Sequence, residues 1–291
     1  MNDLMYLPQA NSVYGRTDLS FNNFELEIGS ITLKRDETIA KQIIGYGIND
    51  DLAISLGLNY RLTGKTKTTI TTTNSVTDTK DKGLEDPNIS LKYRFSKQDS
   101  SIFSADLILM ISPSLGNEKS SSSSIDGNAY RGGSLYSLST DFGKKYTDMS
   151  WKISVGLDMY GKQTSIDNST PAETTTENSK TDINFGFSWQ WETSPTFIVN
   201  LNTGIGISAE STTTNPVADL KTTKDSSNTF NLGTDLIFNV VENMSIYLGV
   251  SGKSYSETNI KFTEISTDNS VTGVVKNFTE GIFSIATKYE F

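Results

Sequence analysis

Phe278-Thr-Glu-Gly-Ile-Phe-Ser-Ile-Ala-Thr-Lys-Tyr-Glu-Phe291 closes the chain and sets how the rest is read. In steps of two from its end, Phe291, Tyr289, Thr287, Ile285 and Phe283 form one row, and Glu290, Lys288, Ala286 and Ser284 form the other. That is a β period with one apolar and one polar face. A soluble antiparallel sheet shows the same alternation, so the period alone does not name the solvent.

The same alternation recurs upstream. It is clearest at 52–62, where Leu52, Ile54, Leu56, Leu58, Tyr60 and Leu62 alternate with Ala53, Ser55, Gly57, Asn59 and Arg61. The β-branched run 65–73 carries this strand beyond a bilayer. Further strands are expected at 38–48, 89–95, 103–111, 136–142, 151–159, 183–191, 197–207, 230–240 and 246–250. The first strand falls within 17–33, with a short outer turn at 34–37. Its apolar parity changes at Asn22-Asn23, which reads as a bulge or a turn. The count is twelve. Tight turns, such as Asn49-Asp50-Asp51, Thr193-Ser194-Pro195 and Glu242-Asn243-Met244, alternate with polar loops at 74–83, 117–133, 167–180, 211–227 and 264–277.

An aromatic final residue with a second aromatic two positions earlier, here Phe291 and Tyr289, resembles the closing strand of bacterial outer-membrane β-barrels. The resemblance implies that this strand is read by the barrel assembly machinery. Short turns alternating with long loops suit the tight periplasmic turns and long external loops of such barrels. Aromatics gather at the short-turn ends: Tyr93, Phe95, Trp151, Trp189, Trp191 and Tyr289 among them, with all three tryptophans in the set. Amphipathic rings favour the headgroup level, so this reads as a periplasmic aromatic girdle. The expected fold is therefore all-β, a transmembrane antiparallel up-and-down barrel of twelve strands in the outer membrane, facing lipid and lipopolysaccharide. Residues 1–16 are expected to form a periplasmic or lumen-tucked leader and 17–291 the barrel.

The bulk properties agree. The chain has 291 residues, 35% hydrophobic and 20% charged, with a mean hydropathy of -0.35. No run approaches eighteen apolar residues, so a transmembrane helix is excluded. Cysteine and histidine are both absent. Disulfides, thiolate or imidazole metal sites and serine-histidine triads are thereby ruled out, and no cofactor is expected. A net charge of -9 argues against nucleic acid as a partner. Met1-Asn2-Asp3-Leu4 lacks the basic start and apolar core of a secretory leader, so a leader is expected to have been removed ahead of it.

With the apolar row on lipid, the other row faces the lumen. It holds Arg61, Lys92, Arg94, Asp106, Asp141, Lys152, Asp158, Asp235, Lys253 and Lys288, among Ser, Asn, Gln and Gly. Charges of both signs pair across a narrow barrel and fill it; the alternative is that part of this set lines a substrate path. Inward Gly204, Gly206, Gly233 and Gly249 either leave room or seat neighbouring side chains. The stretch Asp78-Thr-Lys-Asp-Lys-Gly83 has the glycine of a calcium loop but lysines at its third and fifth positions, and is rejected. Glu85 and Asp86, adjacent on a strand, point to opposite faces and cannot share one reaction.

Tyr46-Gly-Ile-Asn-Asp-Asp-Leu52, then Gly83-Leu-Glu-Asp86 and Ile89-Ser-Leu-Lys-Tyr-Arg-Phe95, resembles the MetA-type outer-membrane family of the meta-pathway of phenol degradation. Ser112-Pro-Ser-Leu-Gly116 is a degraded form of that family's Pro-Thr-Gly, and Glu85 replaces the second glycine of its Gly-x-Gly-Asp. The resemblance implies a barrel that passes small, often hydrophobic or aromatic molecules. The second functional expectation is a plugged structural or surface-display barrel that acts through its Ser/Thr-rich external loops. An enzyme is not expected, since the outer-membrane phospholipase and omptin chemistries both need a histidine.

Overall fold

The structure, a computed structural model, describes residues 4–98, 101–120, 129–167 and 173–291. The first strands are β1 (Val13–Ile28), β2 (Ile31–Asn49), β3 (Leu52–Ile70), β4 (Ser75–Leu84), β5 (Asn88–Ser96), β6 (Ser104–Ser112) and β7 (Glu118–Ser120). Then come β8 (Leu135–Lys145), β9 (Met149–Tyr160), β10 (Gln163–Asp167), β11 (Glu173–Glu177), β12 (Lys180–Ser194) and β13 (Phe197–Ser208). The last are β14 (Ser211–Asn215), β15 (Leu220–Lys224), β16 (Ser227–Val241), β17 (Met244–Tyr255), β18 (Thr258–Glu264) and β19 (Ser270–Glu290).

Twelve of these are barrel staves: β1, β2, β3, β5, β6, β8, β9, β12, β13, β16, β17 and β19. Each is antiparallel to the next, and β1 pairs with β19 from Tyr14↔Glu290 to Ile28↔Val275, which closes the sheet on itself. Closure leaves no open edge, the condition for a sheet to cross a bilayer. The remaining strands prolong the hairpins at the end away from the termini.

The outward row of β3 shows where lipid lies. Ile54, Leu56, Leu58, Tyr60 and Leu62 are each at least 40% exposed. The ten residue steps from Leu52 to Leu62, at about 3.3 Å each and tilted by about 40°, give a belt of roughly 25 Å, the height of the apolar band of such barrels. Beyond Leu62 the outward row turns polar, and Lys65 pairs with Asp78 of β4.

Several sequence expectations are corrected. The outer turn after the first strand is Gly29-Ser30, with Gly29 at φ 57°, and 34–37 lies inside β2. At Asn22-Asn23 there is neither bulge nor turn, because β1 stays in register with β2 from Val13↔Tyr46 to Ile28↔Ile31. The register shift falls instead between Glu25 and Glu27 against β19. The segment 74–83, expected as a loop, lies almost wholly in β4, whose threonines and charges pair with the outer half of β3. The polar connections at 167–180 and 211–227 likewise contain β11 and the hairpin β14–β15, and β10 and β18 are further strands that end where a polar connection was expected to begin. Of the serine cluster Ser120–Ser124, all but Ser120 lies outside the described residues. Threonine is a good strand former that tolerates water, so solvated hairpins grow where composition suggests loops.

Burial is concentrated at the short-turn end. Met5, Ala53, Ala105, Ile198, Ile237 and Ala286 are at most 4% exposed, and Asp106, Gln190 and Ser245 at most 2%. The barrel is thus packed at its periplasmic end and looser above it.

Candidate functional site

The lumen has two unlike walls. From β2 to β9 the inward charges pair. Asp106 is fully buried and takes Lys92 Nζ at 2.9 Å and Arg94 Nε at 2.8 Å. Asp141 takes Lys152 Nζ at 3.2 Å on the adjoining strand. Higher up, Arg61 bridges Asp81 and Glu85, with its Nη2 2.8 Å from Glu85, while Arg35 reaches Asp81 at 2.7 Å and Glu37 at 2.9 Å. Alternation pointed Arg61, Lys92, Arg94, Asp106, Asp141 and Lys152 inward, and the structure brings them into these two networks. The partners of Arg61 were not legible because Glu37 and Asp81 sit where a turn and a loop were expected, as does Arg35.

Residues 4–12 form a floor below the first network. Lys92 Nζ donates to the Tyr6 carbonyl at 2.9 Å, Arg94 donates to the Met5 carbonyl, and Lys288 Nζ stands 3.2 Å above the Tyr6 ring. A Cβ at Gly47 would collide with the Gln9 carbonyl, and one at Gly143 would meet the Met5 side chain. These glycines are where the segment touches the wall. Two leader-segment carbonyls thus take up donors of the two cations that share Asp106.

The wall from β8 to β17 is mostly uncharged. Asp158 accepts from Ser137 Oγ at 2.6 Å and Asn184 Nδ2 at 2.7 Å. Asp235 accepts from Asn200 Nδ2 at 3.1 Å and Asn202 Nδ2 at 3.0 Å. Inward glycines seat polar neighbours: Gly204 lies under Asn231, Gly206 under Thr229 and Asn184, and Gly249 under Ser284 and Asp235. Short side chains laid flat on glycine leave space above them. A cavity of about 360 Å³ over Ser137, Asp158, Asn184 and Asn231 shares Asn231 and Lys253 with a second of about 400 Å³. That second cavity shares Asp235 with a third of about 320 Å³, which ends against Leu4 and Tyr6 of the floor. Lys253 itself lies 4.9 Å over the Tyr255 ring. The asparagines were missed in the sequence because only charged positions were singled out of the inward row.

At the other end the polarity of the wall inverts. Inward Phe24 meets Phe278 at 5.9 Å between ring centres, and Phe278 stacks on Tyr255 at 3.7 Å. Ile28, Ile260 and Phe262 converge where a Cβ on Gly273 would point. Outward at the same height, Asn23 donates to Asp36 at 2.6 Å and Lys34 pairs with Glu25 at 2.9 Å. The parity change at Asn22-Asn23 therefore marks the point where β1 leaves the lipid belt, and apolar side chains move from the lipid face to the inside of an external collar.

The girdle and motif residues are placed as follows. Tyr93, Phe95, Trp189 and Trp191 are 46–59% exposed, while Trp151 and Tyr289 are half-buried. The Tyr289 ring covers Gly15, and Phe291 packs edge-on against it at 5.3 Å. Asp86, 3% exposed, accepts the Leu115 and Arg131 backbone amides at 2.7 and 2.8 Å, so Gly83-Leu-Glu-Asp86 pins two external segments.

No family model and no curated protein matches the sequence. Among solved structures, an outer-membrane channel from Pseudomonas putida F1 is similar with a TM-score of 0.62 at 9% identity, over 100% of this chain and 99% of its own. The transport unit of the autotransporter AIDA-I from Escherichia coli gives 0.61 at 10% identity, over 100% of this chain and 93% of its own. At such identities the likeness is one of fold: that of bacterial outer-membrane β-barrels.

Proposed function

We propose that this protein is an outer-membrane channel that passes small solutes through a narrow, glycine-backed path along the β8–β17 wall. The observation that carries this reading is the series of three cavities with shared lining residues, running down to the leader. The charged inward residues of the facing wall pair with one another, and so shape the path more than they select by net charge. The apolar collar around Phe24, Tyr255 and Phe278 supports solutes with a hydrophobic or aromatic face, held there before they descend. Bilayer lipid, lipopolysaccharide and the barrel assembly machinery are the partners this placement calls for, the last through Tyr289 and Phe291. The residues give no nucleophile-base pair of the serine-histidine kind, histidine being absent, which supports transport over catalysis.

The packed floor favours a second reading, a sealed barrel that acts through its external hairpins. Single-channel recording of the full chain in planar bilayers separates the two. Discrete conductance steps that grow when residues 4–11 are deleted support the channel with the leader as its periplasmic closure. Silence from both forms, with adhesion lost on deleting 117–133 and 169–180, supports the sealed barrel.

A further inference from the structure

The chemistry of the uncharged wall narrows what moves along it. Within its three cavities only Asp158, Asp235 and Lys253 on the strands β8–β17 are charged, and the rest of their polar lining there is serine, threonine, asparagine and glutamine, with tyrosine at Tyr247. Neither Asp158 nor Asp235 has a cation within 4.0 Å among the described residues, and both are held by neutral donors instead. Asp158 accepts one bond on each oxygen and keeps a lone pair on both, whereas Asp235 Oδ2 takes both of its amides and leaves Oδ1 as its open acceptor. Asn200 Oδ1 is buried and without a partner, and Asn200 lines the third cavity. Carboxylates, amides and hydroxyls are thus interspersed on the wall, with the Lys253 ammonium where the first two cavities meet.

A hydroxyl is the group that answers this pattern, because it donates to a carboxylate and accepts from an amide or ammonium at the same oxygen. An apolar solute leaves these groups unpaired after displacing their water. Glu280, Arg16 and Lys288 of β1 and β19 line the same cavities, so three carboxylates face three cations, and an anion or a cation meets repulsion as well as attraction along the path. We propose that the β8–β17 wall is a binding path for uncharged, polyhydroxylated solutes of sugar or sugar-alcohol size, with Asp158, Asn231 and Asp235 as its principal contacts. This rests on the channel reading and deepens it: the collar meets an apolar face, and the wall below meets hydroxyls.

The test is swelling of liposomes carrying the full chain, in four solutes of one size: sorbitol, gluconate, N-methylglucamine, and triethylene glycol dimethyl ether, which lacks hydroxyls. Sorbitol is expected to enter roughly fivefold faster than each of the others, the factor of one hydrogen bond. Asn231→Leu, and separately Asn184→Leu in case the first does not fold, should bring sorbitol entry down to that of the ether. Rates that follow size alone, or a sorbitol preference untouched by both substitutions, overturn the hydroxyl assignment and leave the channel standing. A barrel that passes neither solute nor ion overturns the channel reading and this one with it.

Discussion

At the scale of single residues, the inward charges differ in what they hold. Asp106 has no exposure and two cations within 3 Å, so Asp106→Ala leaves Lys92 and Arg94 facing each other without a counter-charge. Breaking such a buried network costs about 3–5 kcal/mol. The Lys65–Asp78 pair lies outside the belt with both side chains about half exposed, and Asp78→Ala should cost no more than about 0.5 kcal/mol. Urea titration of the refolded barrel reads both, and equal losses would contradict the assignment of Asp106 to the packed floor. That Arg94 and Asp106 point inward was legible in the alternation of β5 and β6. That Arg94 and Lys92 also hold the Met5 and Tyr6 carbonyls was not, since those contacts join residues more than eighty positions apart in sequence. Asn184, Asn200, Asn202 and Asn231 stood in the same inward rows, but an asparagine carries no charge to mark it among serines and glycines.

At the scale of elements, the strands were legible wherever lipid imposes a period and obscure where water lies on both faces. β3, β13 and β16 were read close to their true extent because one row had to be apolar. β4, β11, β14 and β15 were read as loops and β10 and β18 were not anticipated, because above the membrane nothing forces that row. β1 was misjudged for the opposite reason, since its apolar row changes sides at the collar while its backbone runs straight on. The two environments make different demands on substitutions. Leu56→Lys places an ammonium within the lipid belt and should destabilise the barrel by about 2–4 kcal/mol, whereas Asn23→Lys, outward on the collar, should be near neutral. Refolding into bilayers at graded urea measures both. The collar should also loosen in acid. Burial alone would raise the Asp81 carboxyl, but hydrogen bonds and charge from Arg35 and Arg61 outweigh it and hold the group below the usual carboxylate range. Its contribution is therefore complete above the ordinary value of about 3.9 and is lost as pH falls through the lower folded value. Amide exchange in β4 should quicken relative to the lipid-belt part of β3 below about pH 4, and uniform protection there would show that Asp81 does not tie β4 down.

For the whole molecule, the number of staves and the closure between the first and last strands were recoverable from the sequence, because a barrel must bury every edge and each hairpin announces its short turn. The unequal walls of the lumen were not, since they depend on which strand lies across from which. Their arrangement gives the central claim, a water-filled path past Asn231 that ends at the leader. The chain contains no cysteine, so a single introduced thiol can be followed without background. The decisive measurement is single-channel current through the Asn231→Cys protein before and after a charged, membrane-impermeant thiol reagent, with lipid-facing Leu232→Cys as control. The account expects rapid labelling and a stepwise fall in current for Asn231→Cys alone. An absence of current, or labelling at Asn231→Cys that leaves the current unchanged, would contradict it.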